Sequence, residues 1–193
     1  LALAVVAVGL LGFAVAVTYP KLPDLAVLTD YRPKIPLRIY TADGVQIGEF
    51  GEERRSFTKI QEVPQLMKQA IMAAEDERFY QHGGIDYMGV LRAATGNLIS
   101  GQTKSGASTI TMQVAKNFFL SSERTLTRKF NEALLSFKIE QNLSKDQILE
   151  LYFNQIYLGQ RAYGFAAAGQ AYYGRPLKEL SIAQMAMLAG LPK

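Results

Sequence analysis

Cysteine is absent from the 193 residues, and histidine occurs once. Without thiols there are no disulfides and no thiolate metal sites, and one imidazole cannot make a His-rich metal centre. No repeat with a period of about 20–50 residues is visible, which removes solenoids and propellers. Charge of one sign is barely in excess: 21 Lys and Arg against 17 Asp and Glu leave a net charge of +4. That suits an anionic ligand or a membrane surface and does not by itself imply nucleic acid. Hydrophobic content of 49% with 20% charge argues against disorder. The length suits one domain with a real core plus an appendage. The chain opens at Leu1 without a methionine and stops at Lys193 on a helical pattern, so it is expected to be a piece of something longer.

Residues 1–17 are uninterrupted apolar residues and glycine, followed by Thr18, Tyr19 and Pro20. A bilayer-spanning helix needs about 17–25 such residues, and Tyr19 fits an interfacial anchor. A signal peptide competes, because Ala14-Val15-Ala16 resembles a cleavage site, but the run is long for a signal core. The expectation is a transmembrane anchor over 1–19 and a proline-punctuated, extended linker over 20–36. "LRIYTADGVQIGEF" alternates apolar and polar residues around Ala42-Asp43-Gly44, which predicts a β-hairpin over 37–50.

The remainder, 64–193, reads as a helical body. "VPQLMKQAIMAAEDERFY" predicts a helix with Leu66, Ala70 and Ala73 on one face and Met67, Ile71 and Ala74 alongside. "DYMGVLRAATGNLIS" predicts a second helix, and "GQTKSGAS" a flexible connection. Ser108 is the expected N-cap of "TITMQVAKNFFL". A long helix is expected from about Glu123 to Gln141. Ser144 with Gln147, and Ser181 with Gln184, make capping-box patterns for two further helices, the first closed by Gly159. The fold class expected is mainly α, with a small β element at its start.

Three helices carry side chains that could do chemistry. Glu75 and Arg78 stand at i, i+3 near the end of the first, with Asp76 and Glu77 adding negative charge. Thr109, Gln113 and Lys116 fall at i, i+4 and i+7 on the next, with Asn117 beside them, offering hydroxyl, amide and ammonium groups. Arg124, Arg128 and Glu132 fall at i, i+4 and i+8 on the third, flanked by Lys129, and guanidinium groups so placed could clamp a phosphate. Each set also has a bland reading as a wet helix face. His82 beside its glycines reads more readily as a structural hydrogen-bonder, and Glu75 with His82 makes a poor metal pair because they do not share a helix face. Two carboxylates with cations suit a glycosidase, a phosphotransferase, or nothing catalytic.

The motifs narrow this. "EDERFYQHGG" resembles the E-D-x-x-F-x-x-H-x-G signature of family-fifty-one peptidoglycan glycosyltransferases, with Glu75, Asp76, Phe79, His82 and Gly84 in place. "GASTITMQ" is similar to the second motif of that family, G-x-S-T-I-T-Q-Q, and "RKFNE" to the third, R-K-x-x-E. "KDQILELYFNQIYLG" and "SIAQMAMLAGLPK" resemble the fourth and fifth, so five motifs stand in family order. The departures are Met112 for a first glutamine, Phe153 for a common leucine and Gln184 for a common glutamate. The anchor and hairpin resemble the start of class A penicillin-binding proteins, whose transpeptidase domain would follow Lys193.

The resemblance implies a lysozyme-like, two-lobed helical glycosyltransferase domain over 37–193. It implies polymerisation of lipid II, with Glu75 as general base and Glu132 orienting the cations or the leaving group. Ser108, Gln113, Lys116, Arg124, Arg128 and Lys129 would hold the donor pyrophosphate. Asp76, Phe79, His82, Gly84, Thr111 and Asn117 would support the site, with His82 as a brace. The fourth and fifth motifs, with Tyr152, Asn154 and Ser181, read as architecture. Mg2+ or another divalent cation near Glu75 and Glu132 is the one cofactor the resemblance allows; no organic cofactor is implied. Expected partners are lipid II, the growing lipid-linked glycan, the bilayer and other cell-wall synthesis proteins. The implied location is the bacterial cytoplasmic membrane, single-pass, with the domain on the outer side. Residues 91–99, on the second predicted helix, are candidates for a lobe dipping into the interface. Two rivals are a glycan-cleaving muramidase or lytic transglycosylase, and a non-catalytic membrane module that binds precursors.

Overall fold

The structure is a computed structural model and describes residues 2–29, 31, 36–100, 108–120 and 125–192. It is mostly helical with few strands. Helix α1 (Ala2–Thr18) buries none of its residues, and Leu3 (85% exposed), Val8 (71%) and Phe13 (70%) stand fully outside any core. With the turn after it, the helix runs Ala2–Lys21, 20 residues, or about 30 Å at 1.5 Å per residue, the depth of a bilayer's hydrocarbon layer. Such a helix gains nothing from packing in water, and lipid is the medium that would stabilise it.

The described part of residues 20–36 departs from the extended linker the prolines predict. It contains a single-turn helix, α2 (Ala26–Thr29), with Leu25 and Leu28 buried in the main core. Burying two leucines is worth about 1.5–3 kcal/mol each. Lys138 Nζ donates to the Pro23 carbonyl at 2.8 Å, and Tyr31 Oη donates to Gln155 Oε1 at 2.6 Å. A four-residue helix is too short to leave a periodic signal, so the prolines dominated the sequence pattern.

The predicted hairpin forms from β1 (Leu37–Tyr40) and β2 (Gln46–Phe50), antiparallel, with Leu37 opposite Phe50 and a bulge after Ile39. A second pair, β3 (Arg54–Arg55) with β4 (Ala162–Tyr163), is parallel and only two residues deep. No sequence period could mark so short a pair.

Helix α3 (Gln65–Glu75) buries Met67 and Ile71, while Leu66 is 49% exposed. It also stops at Glu75, short of the Tyr80 that the pattern suggested. Asp76 leaves helical geometry, and Phe79 turns into the core within a 3-10 turn, Phe79–Gln81. Helix α4 (Tyr87–Ser100) follows, with Tyr87, Met88, Leu91 and Leu98 exposed. The connection "GQTKSGAS" lies outside the described residues up to Ala107.

Helices α5 (Ile110–Phe119), α6 (Leu126–Asn142) and α7 (Lys145–Gln155) form the centre, α5 lying against both of the others. Thr109, rather than Ser108, caps α5 by accepting from the Met112 N–H. Thr125 caps α6 by accepting from the Arg128 N–H. Both predicted capping boxes form, Ser144 with Gln147 on α7 and Ser181 with Gln184 on α9 (Ile182–Ala189); each cap is worth about 1 kcal/mol. Helix α7 closes at Gln155, before Gly159. Helix α8 (Phe165–Tyr173) starts at Gly164, whose φ of +84° and approach to the Asn154 carbonyl (a Cβ would lie 2.9 Å away) admit no side chain. Helix α9 packs on α3, and Met67, Ile71, Ile110, Ile139, Phe153 and Phe165 seal the shared core.

Candidate active site

Glu75 is the last residue of α3, so its carboxylate leaves the helix end facing α5. There its Oε2 accepts from Gln113 Nε2 at 2.6 Å. Gln113 lies on the buried stretch of α5, one turn after Thr109, and Lys116 follows three residues later on the same flank. Helix α6 supplies the opposite wall. Arg128 donates from Nη1 to Glu132 Oε1 at 2.6 Å, and Lys129 Nζ donates to Glu132 Oε2 at 2.8 Å. Glu132 is 3% exposed, and a carboxylate so buried is stable only with such paired donors. Lys129 Nζ also donates to Ser108 Oγ at 2.7 Å, tying α6 to the residue before the α5 cap.

These groups line one cleft of about 330 Å³, with Ala74 and Met112 as its apolar members. Glu75 and Lys116 line it from α3 and α5, and Arg128, Lys129 and Glu132 from α6. Among the described residues the Lys116 ammonium has no hydrogen bond or ion pair, and Arg128 Nε is buried without a partner. A cleft-lining ammonium without a protein partner among the described residues is a donor that a bound anion can take.

Below the cleft, Asp76 is 7% exposed and joins three pieces of chain. Its Oδ2 accepts from the Ile110 N–H at 3.0 Å, at the start of α5. His82 Nε2 lies 2.8 Å from its Oδ1 and 3.1 Å from Oδ2; a carboxylate accepts, so Nε2 carries the hydrogen. Phe79 is fully buried, and its ring stands edge-on to Tyr80. Gly84 presents its carbonyl to Thr109 Oγ1, which donates at 2.6 Å.

Several expected neighbours are apart. Arg78 lies beyond the helix end and pairs with Asp86, so it shares no face with Glu75. The Thr109 hydroxyl is spent on Gly84 and does not join Gln113 and Lys116 in the cleft. Thr111 is fully buried and donates to Glu140 Oε1 at 2.6 Å, with Lys145 Nζ on the same oxygen at 2.8 Å. Asn117 sits on α5 outside the cleft lining. Arg124 lies outside the described residues. Arg78 and Thr109 share a reason: a helix spacing assumes one continuous helix, and the chain breaks α3 at Glu75 and starts α5 one residue late.

Asn154 and Ser181 act as architecture. Asn154 Oδ1 accepts from the Thr58 N–H at 2.9 Å, and its Nδ2 donates to the Thr58 and Glu150 carbonyls, each at 2.9 Å. Tyr152 differs. It is fully buried, its hydroxyl has no partner among the described residues, and burial together with the Glu75 charge pushes that phenol above its ordinary pKa. In the sequence its place in the fourth motif reads as architecture, since an apolar-face tyrosine in a helix reads as packing.

Among the described residues no three His, Asp or Glu side chains converge to hold a metal ion. Both oxygens of Glu132 are taken by Arg128 and Lys129. This donor set does not fit a divalent ion between Glu75 and Glu132.

A cleft that gathers Glu75, the buried Glu132 and three cations, lined by residues of the first three motifs and the helices that carry them, defines a class. The family model described as Transglycosylase matches residues 43–193, and the chain belongs to that family. Penicillin-binding protein 1A of Neisseria cinerea is 64% identical over 193 residues, which is 100% of this chain and 24% of that protein. Penicillin-binding protein 1A of Escherichia coli (strain K12) is 53% identical over 174 residues, 90% of this chain and 20% of that protein. A crystal structure of penicillin-binding protein 1A from Haemophilus influenzae matches 83% of this chain and 14% of that one, at 30% identity and a TM-score of 0.39. The chain thus spans about a quarter of the length of the curated relatives it matches. Ahead of this transglycosylase domain stands α1, a helix long and apolar enough to cross a bilayer, which suits a membrane anchor.

Proposed function

We propose that this domain polymerises lipid II into glycan strands at the outer face of the bacterial cytoplasmic membrane. The observation that carries the reading is the cleft that Glu75 lines together with Lys116, Arg128 and Lys129. The acceptor is lipid II, and the donor is the growing chain on its undecaprenyl pyrophosphate. Glu75 takes the proton from the 4-hydroxyl of the acceptor sugar. That oxygen forms a bond to the donor's anomeric carbon as the bond to pyrophosphate breaks, and pyrophosphate leaves with the electron pair. Attack from the far side inverts the α linkage to β.

The physical reasons are local. A sugar hydroxyl is a weak nucleophile, and a placed base is worth about 10²–10⁴ in rate. The leaving pyrophosphate gains charge in the transition state, so fixed cations stabilise that state more than the ground state. Arg128 and Lys129 are already held by Glu132 and cost little reorganisation on binding. The Lys116 ammonium, with no partner among the described residues, adds a donor for the anion. Gln113 aims Glu75, and the Lys129–Ser108 bond fixes the wall against α5. Substrate and product both stay in the bilayer, so a tethered domain searches in two dimensions. In the cell, other cell-wall synthesis proteins are the expected partners of such a tethered polymerase.

The test is to incubate the membrane-inserted protein with lipid II and, separately, with finished glycan. Polymer is expected from the first and no cleavage of the second. Glu75→Gln should abolish polymer while leaving thermal unfolding unchanged. Cleavage of glycan without polymer would overturn the reading in favour of a glycan hydrolase.

A further inference from the structure

Helix α1 does not hang from the body on a loose tether. Tyr19, in the turn that ends it, donates from Oη to Gln141 Oε1 at 3.2 Å. One turn back on α6, Lys138 Nζ donates to the Leu22 carbonyl at 3.4 Å and to the Pro23 carbonyl at 2.8 Å. Leu25 and Leu28 are buried in the core, and Leu22 packs against it. Tyr31 Oη donates to Gln155 Oε1 at 2.6 Å, and Arg55 Nη1 donates to these two oxygens at 3.0 and 2.8 Å. The Tyr31 ring also stands edge-on to Phe118, with centroids 5.3 Å apart. The described residues from Tyr19 to Tyr31 are thereby tied to α5, α6 and α7, the three central helices.

A tether needs no such contacts, and ordering them costs chain entropy that a flexible linker keeps. What they fix is where the body stands relative to the end of α1. Tyrosine at the end of a spanning helix sits at headgroup level, and Gln141 is bonded to Tyr19, so the C-terminal end of α6 stands at that level too. From Gln141 back to Glu132 is about 14 Å along the helix, at 1.5 Å per residue. Whatever the tilt of α6, the backbone of Glu132 lies no further than that from the headgroups, and Arg128 and Lys129 are bonded to its carboxylate. A pyrophosphate carried on a lipid sits in a headgroup layer about 5–7 Å deep. The height of the cleft therefore decides whether its cations meet that anion.

We propose that the segment from Tyr19 to Tyr31 is a strut, which seats the C-terminal end of α6 on the lipid headgroups and holds the cleft at one height above them. The inference rests on the reading of α1 as the membrane anchor and of the cleft as the polymerisation site.

The test uses the whole chain in lipid vesicles. The chain has no cysteine, so Asn142→Cys, at the exposed end of α6, takes a single fluorescent donor, with the acceptor carried on lipid headgroups. A flexible Gly/Ser segment of about 12 residues, inserted between Lys21 and Leu22, adds roughly 19 Å of reach. Strong energy transfer is expected without the insertion, and a fall by about half or more with it. Equal transfer in the two would mean that something other than the strut holds the body to the bilayer, and would overturn the inference. Polymerisation of lipid II is the second readout. The insertion should lower the rate in vesicles by roughly tenfold, through the lost effective concentration, and leave it nearly unchanged in detergent micelles, where no extended surface sets a height. An unchanged rate in vesicles, or an equal loss in micelles, would overturn the inference. If the unmodified chain made no polymer in either medium, the reading of the cleft would fall, and energy transfer alone would decide the strut.

Discussion

Gln113 Nε2 donates to Glu75 Oε2 at 2.6 Å, joining the last residue of α3 to the middle of α5 across 38 positions of chain. The amide is 9% exposed and emerges from the buried side of α5, so it cannot easily turn away. It is a rigid donor for a residue at a helix end, where the backbone is least restrained.

Gln113→Leu should therefore cost rate before it costs stability. The leucine fills the volume and removes only the donor, leaving Glu75 free to rotate into the cleft. The expected effect is a kcat about tenfold lower, near the value of one charge-assisted hydrogen bond. Steady-state polymerisation kinetics check this, with the donor KM as the internal control.

The cations separate into two kinds. The Lys116 ammonium has no partner among the described residues, whereas Arg128 and Lys129 both hold the buried Glu132. Lys116→Ala should raise the donor KM by about 10–100-fold, as expected for one hydrogen bond to a charged group, and leave Tm where it was. Arg128→Ala should do the same to the donor and also destabilise the fold by roughly 3 kcal/mol, because Glu132 loses a partner while still buried. Thermal unfolding of the two variants side by side reads the difference.

Acid sensitivity has a specific contributor at the Arg78–Asp86 pair. Burial alone would raise the Asp86 pKa; the Gly89 N–H, the Arg78 hydrogen bond and attraction to Arg78 and His82 outweigh it, so the pKa is lowered. A lowered folded-state pKa stabilises the protein above the unfolded value, about pH 4, and that stability is lost as pH falls through the folded value. Arg78→Met should thus lower Tm at neutral pH, and the gap from wild type should close below about pH 4. Tm measured from pH 7 to pH 3 checks it; a gap that widened in acid would be wrong for this pair.

Much of the scaffold is legible in local spacing. The capping residues of α7 and α9 and the Arg128–Lys129–Glu132 trio all sit within four residues of one another, so helix geometry alone brings them together. The hairpin is equally local. What spacing cannot carry is contact between helices. Glu75 with Gln113, Lys129 with Ser108 and Asp76 with Ile110 each depend on how α3, α5 and α6 lie together, and the motif resemblance, not periodicity, pointed to the first two sets. The end of α3 was hidden for a related reason. Asp76 and Phe79 would both suit a helix, but the α5 amide needs the one and the core takes the other. The tertiary contacts win over the local preference.

Gly84 couples the brace to the cleft, and it can be tested against a second glycine. Both Gly84 (φ +91°) and Gly174 (φ +64°) sit in the left-handed region, where a side chain costs about 1–2 kcal/mol. A Cβ at Gly174 meets nothing within 4 Å, so Gly174→Ala should show that strain alone. A Cβ at Gly84 would lie 2.9 Å from Ser136 Oγ and 3.0 Å from the Ser136 carbonyl carbon. The hydroxyl can rotate aside, but the α6 backbone cannot. Gly84→Ala must therefore push its own loop away from α6. That movement pulls the Gly84 carbonyl from Thr109 and drags His82 on Asp76, the residue next to Glu75. The expected destabilisation is about 3 kcal/mol, near the upper end for a strained site, or a fall in Tm of roughly 6–12 °C for a domain of this size. Activity measured well below both midpoints then makes the separation. Gly174→Ala should retain full polymerisation there, and Gly84→Ala should lose at least tenfold in kcat, an amount equivalent to one misplaced hydrogen bond at the base. Equal kinetics in the two variants would mean that Gly84 serves folding only and that the brace does not reach Glu75.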